Sequence, residues 1–269
     1  MKLHIVVATV FAFALSACGG GSGNSGGGSG SGGGSGGGTT TPTVTTYVGY
    51  NYLQNLNATS AYTATFTDNG LGNAGTLNFG VTPVSVTMTP DSNGDGGIAY
   101  GTPVTAGVAI GTNSKDKNLP AVAMICQSVA GTGTGSFGKS TDALITSNAT
   151  QITSATALAN QSFTFLREDC LQGGTNPPTT TGNVLAFDAN GNVAVTGNAT
   201  VLLSTISSGT FTSALNGQAI YNPASNAYTV FYAYSYTKQD GSTAYAIIEH
   251  DAPGLTGLSK GVISVWTQQ

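Results

Sequence analysis

Short runs of alternating apolar and polar residues, separated by turn-forming residues, are the feature that most restricts how this chain can fold. In residues 60–68, for example, Tyr62, Ala64 and Phe66 alternate with threonines and other small residues. A period of two is that of a β-strand with one buried face. Leu, Glu, Lys and Arg, the common helix formers, are scarce, while β-branched and aromatic residues are frequent. The pattern predicts strands at 60–68, 84–88, 104–110, 122–129 and 163–166.

The C-terminal third carries the clearest hairpin signals. Residues 188–191 (Asp-Ala-Asn-Gly) lie between two apolar runs, and Asn-Gly supplies the positive-φ positions of a tight turn. Residues 238–241 (Lys-Gln-Asp-Gly) separate a second pair of runs in the same way. We expect strands here at 184–187, 193–195, 201–206, 228–237, 242–248 and 262–266.

Together these segments predict an all-β fold of antiparallel meander hairpins with little helix, either a β-barrel or a barrel-like sandwich. We favour the barrel, because only 7% of the residues are charged and closure would hide strand edges that few charges protect. Residues 141–160, rich in Ala and Thr, fit a short helix or another strand. Residues 61–101 and 162–197 share an order of strands and turns that suits a weak two-fold repeat, although ordinary turn chemistry also accounts for it.

The N-terminus has the features of an export signal. A basic residue, Lys2, precedes an eleven-residue apolar run at 5–15, which is too short to span a bilayer. Its last residue begins the sequence Leu15-Ser16-Ala17-Cys18, which resembles the lipobox of bacterial lipoproteins. The resemblance implies cleavage before Cys18 and acyl chains, such as palmitate, on its thiol and new amino group. The alternative is an ordinary secretory signal that is cut after Ala17 and leaves an unmodified thiol.

The residues after Cys18 predict a flexible tether and a location in the outer membrane. Residues 19–38 are Gly and Ser with a single Asn, so they predict a flexible tether with a root-mean-square reach of about 25 Å. Lipoproteins held in the inner membrane commonly carry Asp after the cysteine, and Gly19 in its place implies the outer membrane. The predicted organisation is a signal peptide at 1–17, a tether at 18–42 and an all-β domain at 43–269, with no transmembrane helix.

The charge of the chain restricts the classes of molecule that it is expected to bind, and its cysteines predict a disulfide. Without Lys2 the chain has six basic and eleven acidic residues, so no basic patch recommends nucleic acid or an anionic lipid surface as a partner. An exported protein meets an oxidising compartment, so we expect a disulfide between Cys126 and Cys170. The alternative, a metal or redox pair, lacks a neighbouring Cys or His in the sequence.

Two Gly-rich segments resemble ion-binding or phosphate-binding loops. Asp91, Asn93 and Asp95 have the spacing of oxygen ligands in an EF-hand-like calcium loop, but position 12 is Thr102 and not a bidentate glutamate. A hairpin turn is therefore the favoured interpretation, and it is compatible with calcium binding. Calcium is therefore the one cofactor with any support. Residues 133–140 match the phosphate-loop pattern, but that loop belongs to parallel α/β folds, and we interpret it as a connection.

The remaining candidate chemistry lies near the C-terminus. Tyr228, Tyr232, Tyr234 and Tyr236 share one face of a predicted strand, where they either stack on a flat ligand or fill the interior of a sheet. His250 could join a Ser–His–Asp arrangement, but no G-x-S-x-G motif supports one, so we assign no catalytic residue. The sequence predicts a non-enzymatic binding or structural lipoprotein of the cell envelope; a ligand-binding barrel and an exported hydrolase are the alternatives.

Overall fold

The computed structural model describes residues 44–53, 58–68, 74–78, 83–90, 96–100, 104–112, 120–129, 138–167, 179–198, 201–222, 227–238, 240–252 and 263–268. All of them belong to one compact unit, 39–269. Its first eight strands are β1 (Val44–Leu53), β2 (Ala58–Asp68), β3 (Ala74–Asn78), β4 (Pro83–Pro90), β5 (Gly96–Tyr100), β6 (Val104–Thr112), β7 (Pro120–Val129) and β8 (Gly138–Thr146). The next are β9 (Thr150–Ile152), β10 (Ser162–Arg167), β11 (Thr179–Phe187), β12 (Val193–Gly197) and β13 (Val201–Ile206). The last described elements are the helix α1 (Ser208–Leu215) and the strands β14 (Ile220–Asn222), β15 (Ala227–Thr237), β16 (Thr243–Asp251) and β17 (Ile263–Gln268).

The first eight strands form a closed antiparallel barrel. Each pairs with the next along the chain, and β8 returns to pair with β1. In β2, Ala64 and Phe66 are buried while Thr63, at the same strand's other face, is exposed. The alternation that predicted this strand therefore gives its buried face correctly.

Part of the barrel wall is buried on both faces. Residues 121–125 of β7 and 142–146 of β8 are all buried. Strands covered on both sides have unbroken apolar runs instead of alternation, and Ala121-Val122-Ala123-Met124-Ile125 is such a run. The outer side of this wall carries Val122, Met124 and Ile145, which pack in one core with Ala246 and Ile248 of β16.

The second sheet has nine antiparallel strands in the order β13-β12-β11-β10-β17-β16-β15-β14, with β9 also pairing β15. Its central strands β16 and β17 are buried on both faces, one against the barrel wall and the other against a separate apolar core. Among the described strands, the two ends of this sheet are β13 and, at the other end, β14 with β9. The predicted all-β fold, a barrel or barrel-like sandwich, is thus confirmed: β1–β8 close into a barrel, and the remaining described strands form an open sheet.

The second sheet curls around α1. The Phe211 ring of α1 lies 5.2 Å from that of Phe187 on β11 and 4.9 Å from that of Phe231 on β15. These two strands are four positions apart in the sheet, which would separate them by about 19 Å if the sheet were flat. Both strands can contact the Phe211 ring only if the second sheet is strongly curved.

The helix α1 is short and capped at its start. Ser207 is the N-cap, and its Oγ accepts a hydrogen bond from the Thr210 backbone N–H at 3.2 Å. Phe211, Ala214 and Leu215 form its buried side. Among the described residues no helix is long and apolar enough to cross a bilayer.

Both predicted hairpin turns are present, but of the Asn190-Gly191 pair, expected to supply two positive-φ positions, only Gly191 has positive φ. Asp188 Oδ1 accepts hydrogen bonds from the backbone N–H groups of Asn190 and Asn192, each at 2.8 Å, and Gly191 has φ 78°. A Cβ at Gly191 would come within 2.8 Å of the Ala155 backbone, so only glycine fits there. In the second turn Asp240 Oδ1 accepts from the Ser242 N–H at 2.8 Å. Hydrogen bonds from Asn192 lower the Asp188 pKa.

The segment 141–160, which fitted either helix or strand, contains both. It comprises the end of β8, the three-residue strand β9 and a 3₁₀ helix at Ala155–Leu158. The two segments of the predicted weak repeat fall on β2–β5 of the barrel and β10–β12 of the second sheet. Their relationship stays a prediction.

Candidate functional site

The predicted tyrosine ladder lies on β15, but its members have different surroundings. Tyr228 is 48% exposed and packs edge-to-face on Tyr221 of β14, with ring centroids 5.7 Å apart. Tyr232 is half-buried, whereas Tyr234 and Tyr236 are buried in the core that joins the second sheet to the barrel wall. Most of the ladder is therefore covered by protein, and only its Tyr228 end is open to solvent.

Tyr50 of the barrel strand β1 meets this ladder. Its hydroxyl lies 2.5 Å from the Tyr234 hydroxyl, and both side chains are buried. Its ring stacks on Tyr232, with centroids 4.7 Å apart and planes 25° from parallel. The contact is both directional, through the hydroxyls, and extensive, through the rings.

His250 of β16 completes what we call the junction cluster: Tyr50, Tyr232, Tyr234 and His250. The His250 ring lies 5.3 Å from Tyr232 and 6.4 Å from Tyr50, in stacked orientations. Register explains the grouping, because His250 is opposite Val230 and Tyr232 is opposite Ile248 on the neighbouring strand. Tyr232 and His250 are thus diagonal neighbours on the same face of the sheet.

Burial changes the acidity of the junction cluster. It raises the pKa of the Tyr50, Tyr232 and Tyr234 hydroxyls, because the phenolate would lose its hydration. The hydrogen bond to Tyr234 adds to the rise for Tyr50. These phenols therefore stay protonated at neutral pH, where they act as hydrogen-bond donors and acceptors and not as bases.

Glu249, next to His250 in the sequence, faces the opposite side of the sheet. Its Oε2 accepts a hydrogen bond of 2.6 Å from the Trp266 indole Nε1–H, and Glu249 as a whole is only 2% exposed. Ser264 is the direct partner of Glu249 in register and is fully buried. Because neighbours in a strand point to opposite faces, Glu249 and Ser264 lie on the side of the sheet away from His250.

The placement of Glu249 and His250 on opposite faces of β16 argues against a triad that combines them. A Ser–His–acid triad requires its three side chains to converge, and β16 places Glu249 and His250 on different faces. Glu249 and Ser264 cannot serve His250 from there. Among the described residues, no group of three His, Cys, Asp or Glu side chains is arranged to hold a metal ion.

Several predicted site residues lie outside the described residues. These are Cys18, the calcium-loop candidates Asp91, Asn93 and Asp95, and Cys170. Cys126 is in β7, where its backbone pairs with Ala106 and Thr141, but its proposed disulfide partner is not among the described residues. These assignments stay predictions.

The sequence did not identify Tyr50 as a partner of the ladder. The signal available was a tyrosine within the β-branched and aromatic stretch at 44–53, but nothing local links that stretch to a strand 184 residues away. The burial of Glu249 and His250 was also missed, because the predicted strand ended at residue 248, whereas β16 continues to Asp251. Comparison with protein-family models, curated proteins and solved structures finds no match.

Proposed function

We propose that the protein is an outer-membrane lipoprotein, anchored through acylated Cys18, whose all-β domain has a non-enzymatic binding or structural role at the cell envelope. One observation carries this proposal: Leu15-Ser16-Ala17-Cys18 follows an apolar run and precedes twenty residues that are almost entirely Gly and Ser. More than one acyl chain gives firm membrane attachment. The tether then leaves the domain free on the periplasmic or the outer side of the membrane.

The geometry of the junction cluster supports a structural role over catalysis. Its tyrosines pack the second sheet against the barrel wall, with the Tyr50 and Tyr234 hydroxyls bonded to each other. The His250 ring stacks on Tyr232 in the same packing, while the Glu249 carboxylate accepts a hydrogen bond from Trp266 on the other face. These polar side chains of β15 and β16 are therefore engaged in contacts within the domain.

The proposed location also accounts for the cysteines. In an oxidising envelope compartment Cys126 and Cys170 form a disulfide that closes a loop of about 45 residues, worth roughly 4 kcal/mol by the chain-entropy estimate. The loop at Asp91, Asn93 and Asp95 would offer its oxygens to calcium in the same compartment. Neither feature is needed for the anchor.

Mass spectrometry of the protein purified from bacterial membranes tests the proposal. We expect a chain that begins at Cys18 and carries a diacylglyceryl group and an amide-linked acyl chain. The matched variant Cys18→Ser should carry no lipid and should leave the outer-membrane fraction. An intact Met1, or an unmodified thiol at the mature N-terminus, would refute the lipid anchor.

The same sample tests the disulfide. Alkylation without reduction should leave Cys126 and Cys170 unlabelled, and alkylation after reduction should label both. Labelling of both before reduction would contradict the disulfide without affecting the proposed anchor.

A further inference from the structure

Two buried hydroxyl groups flank Glu249 on the helix-facing side of the second sheet. Ser264 on β17 is 0% exposed and Thr229 on β15 is 1% exposed. Neither Ser264 Oγ nor Thr229 Oγ1 has a hydrogen-bond partner among the described residues. A buried hydroxyl without a partner loses its hydration and gains no bond in return, so such groups are rare and indicate a place for a water, an ion or another ligand.

Strand register brings both hydroxyls to Glu249. Ser264 is the direct partner of Glu249 on β17, and Phe231 is its direct partner on β15. Thr229, two residues before Phe231, is on the same face and diagonal to Glu249. Direct partners have Cβ atoms about 5 Å apart and diagonal ones about 7–8 Å, and the curl of the sheet around α1 draws side chains on this side closer together. We call Glu249, Ser264 and Thr229 the buried oxygen site.

The chemistry of the buried oxygen site selects a cation. The charge of Glu249, which is 2% exposed, opposes the binding of an anion. A carboxylate has about four lone-pair positions, of which the hydrogen bond from Trp266 uses one. All three side chains offer oxygen, the ligand atom that hard cations prefer. Because the three residues are almost completely closed to solvent, a bare metal ion fits between them better than an organic amine.

The neighbouring sequence and the geometry favour calcium among the hard cations. A second acidic residue, Asp251, follows Glu249 at the next position of the strand alternation, and its backbone pairs with that of Thr229. Two acidic residues at this end of β16 match the charge of a divalent ion. Ca²⁺ accepts irregular arrangements of oxygen, whereas Mg²⁺ requires a near-ideal octahedron. Donors that come from three separate strands suit the less demanding ion.

We propose that the buried oxygen site binds one Ca²⁺ ion, which joins the adjacent strands β15, β16 and β17 on their helix-facing side. Two of its donors are hydroxyls, so the site differs from the His, Cys and acidic clusters that commonly hold metals. It is also separate in the sequence from the calcium-loop candidates Asp91, Asn93 and Asp95. The proposal does not depend on the lipid anchor.

Calcium-dependent stability tests this site. The thermal unfolding midpoint of the full-length protein is measured after chelation and again across a series of CaCl₂ concentrations. We expect Ca²⁺ to raise the midpoint, because a ligand that binds only the folded state stabilises it. Ser264→Ala and Thr229→Val should each weaken Ca²⁺ binding at least ~10-fold. After chelation both variants should be as stable as the wild type or more stable, since each removes a hydroxyl that has no partner.

Ser204→Ala is the matched control for the two hydroxyl variants. Ser204 Oγ is also buried without a hydrogen-bond partner among the described residues. Its strand β13 lies four positions from β17 in the sheet, however, so Ser204 is remote from Glu249. Ser204→Ala should therefore keep the wild-type response to Ca²⁺.

Trp266 gives a direct measurement of the bound ion. It is the single tryptophan of the chain, and its indole donates a hydrogen bond to Glu249. Tb³⁺ replaces Ca²⁺ at oxygen sites and emits when a nearby tryptophan transfers energy to it. We expect Tb³⁺ emission on excitation of Trp266, and excess Ca²⁺ should remove it. Glu249→Gln keeps a hydrogen-bond acceptor for Trp266 but removes the charge, and it should abolish the emission.

Three outcomes would overturn the proposal. They are no rise of the midpoint with Ca²⁺, an equal rise in the wild type and both hydroxyl variants, and a rise with Na⁺ or Mg²⁺ but not with Ca²⁺. An equal rise would place calcium elsewhere, for example at Asp91, Asn93 and Asp95. If Glu249→Gln does not fold, Thr229→Val, which conserves side-chain volume, replaces it in the Tb³⁺ measurement. A chain without lipid at Cys18 contains the same three strands, so failure of the anchor leaves these results unchanged.

Discussion

On the barrel-facing side of β15 and β16, tyrosines and a histidine meet a tyrosine from β1, whereas the helix-facing side of the same strands is packed with phenylalanine and tryptophan. Tyr50 and Tyr234 pair through their hydroxyls on the first side. On the second, Phe187, Phe211 and Phe231 form a continuous series of ring contacts. Both sides are buried, so burial alone does not explain the choice of residue.

The difference follows from what each side has to join. The helix-facing side surrounds α1, whose position is restricted because it follows β13 directly in the chain. Apolar side chains supply most of the packing around the helix. The buried hydrogen bond between Trp266 and Glu249 on this side joins the neighbouring strands β17 and β16 and not the sheet to the helix. The barrel-facing side must align two separate sheets, and a hydroxyl pair is satisfied in one alignment only. We therefore expect the Tyr50–Tyr234 contact to contribute to the position of the second sheet on the barrel.

The largest expected effect is on the helix-facing side. Phe211→Ala removes a fully buried ring that contacts both Phe187 and Phe231, and we expect it to lower the free energy of unfolding by about 3–5 kcal/mol. Chemical denaturation at neutral pH measures the change. Tyr228→Ala is the control, because Tyr228 is 48% exposed, and it should cost about 1 kcal/mol or less. Equal losses in the two variants would show that α1 is not part of the core.

Much of the fold could be predicted because the strands alternate. The strand 201–206 was predicted with the bounds that it has, and both hairpin turns form at the expected Asp-x-Asn-Gly and Lys-x-Asp-Gly sequences. Helix α1 could not be found in this way, since Ser-Gly-Thr-Phe-Thr-Ser is a poor helix-forming sequence. Burial of Phe211 and Leu215 in the curled sheet stabilises the helix against its own propensity.

The candidate site could be predicted only in part. A period of two placed the tyrosines of β15 on one face, but it contains no information on what covers that face. Tyr50, on the first described strand, is part of that cover, and such long-range pairing leaves no trace in local sequence. The same limit applies to Glu249, whose burial depends on β16 being a central strand between β15 and β17.

A smaller effect is expected on the barrel-facing side. Tyr50→Phe and Tyr234→Phe each keep the ring but remove one hydroxyl of the pair, at an expected cost of about 1 kcal/mol. The double variant should cost less than the sum, because the second substitution removes a hydroxyl that has already lost its partner. Denaturation of all four proteins gives the coupling free energy. Strict additivity would mean that the two hydroxyls do not interact, and alignment of the sheets would then depend on ring packing alone.

The smallest expected effect is in the alkaline pH dependence, and it distinguishes the two sides most specifically. Burial raises the pKa of the Tyr50, Tyr232 and Tyr234 hydroxyls above the ordinary value of 10.0. The unfolded chain therefore loses these protons first, so their contribution to stability is complete below pH 10 and declines as the pH rises above it. Tyr50→Phe should make that decline shallower, as measured by unfolding midpoints across the alkaline range. Phe187→Leu, on the helix-facing side, should lower the midpoints at every pH but leave the slope as in the wild type. If Tyr50→Phe also left the slope unchanged, its phenol would not be buried in the folded state, and the directional contact between the barrel and the second sheet would be absent.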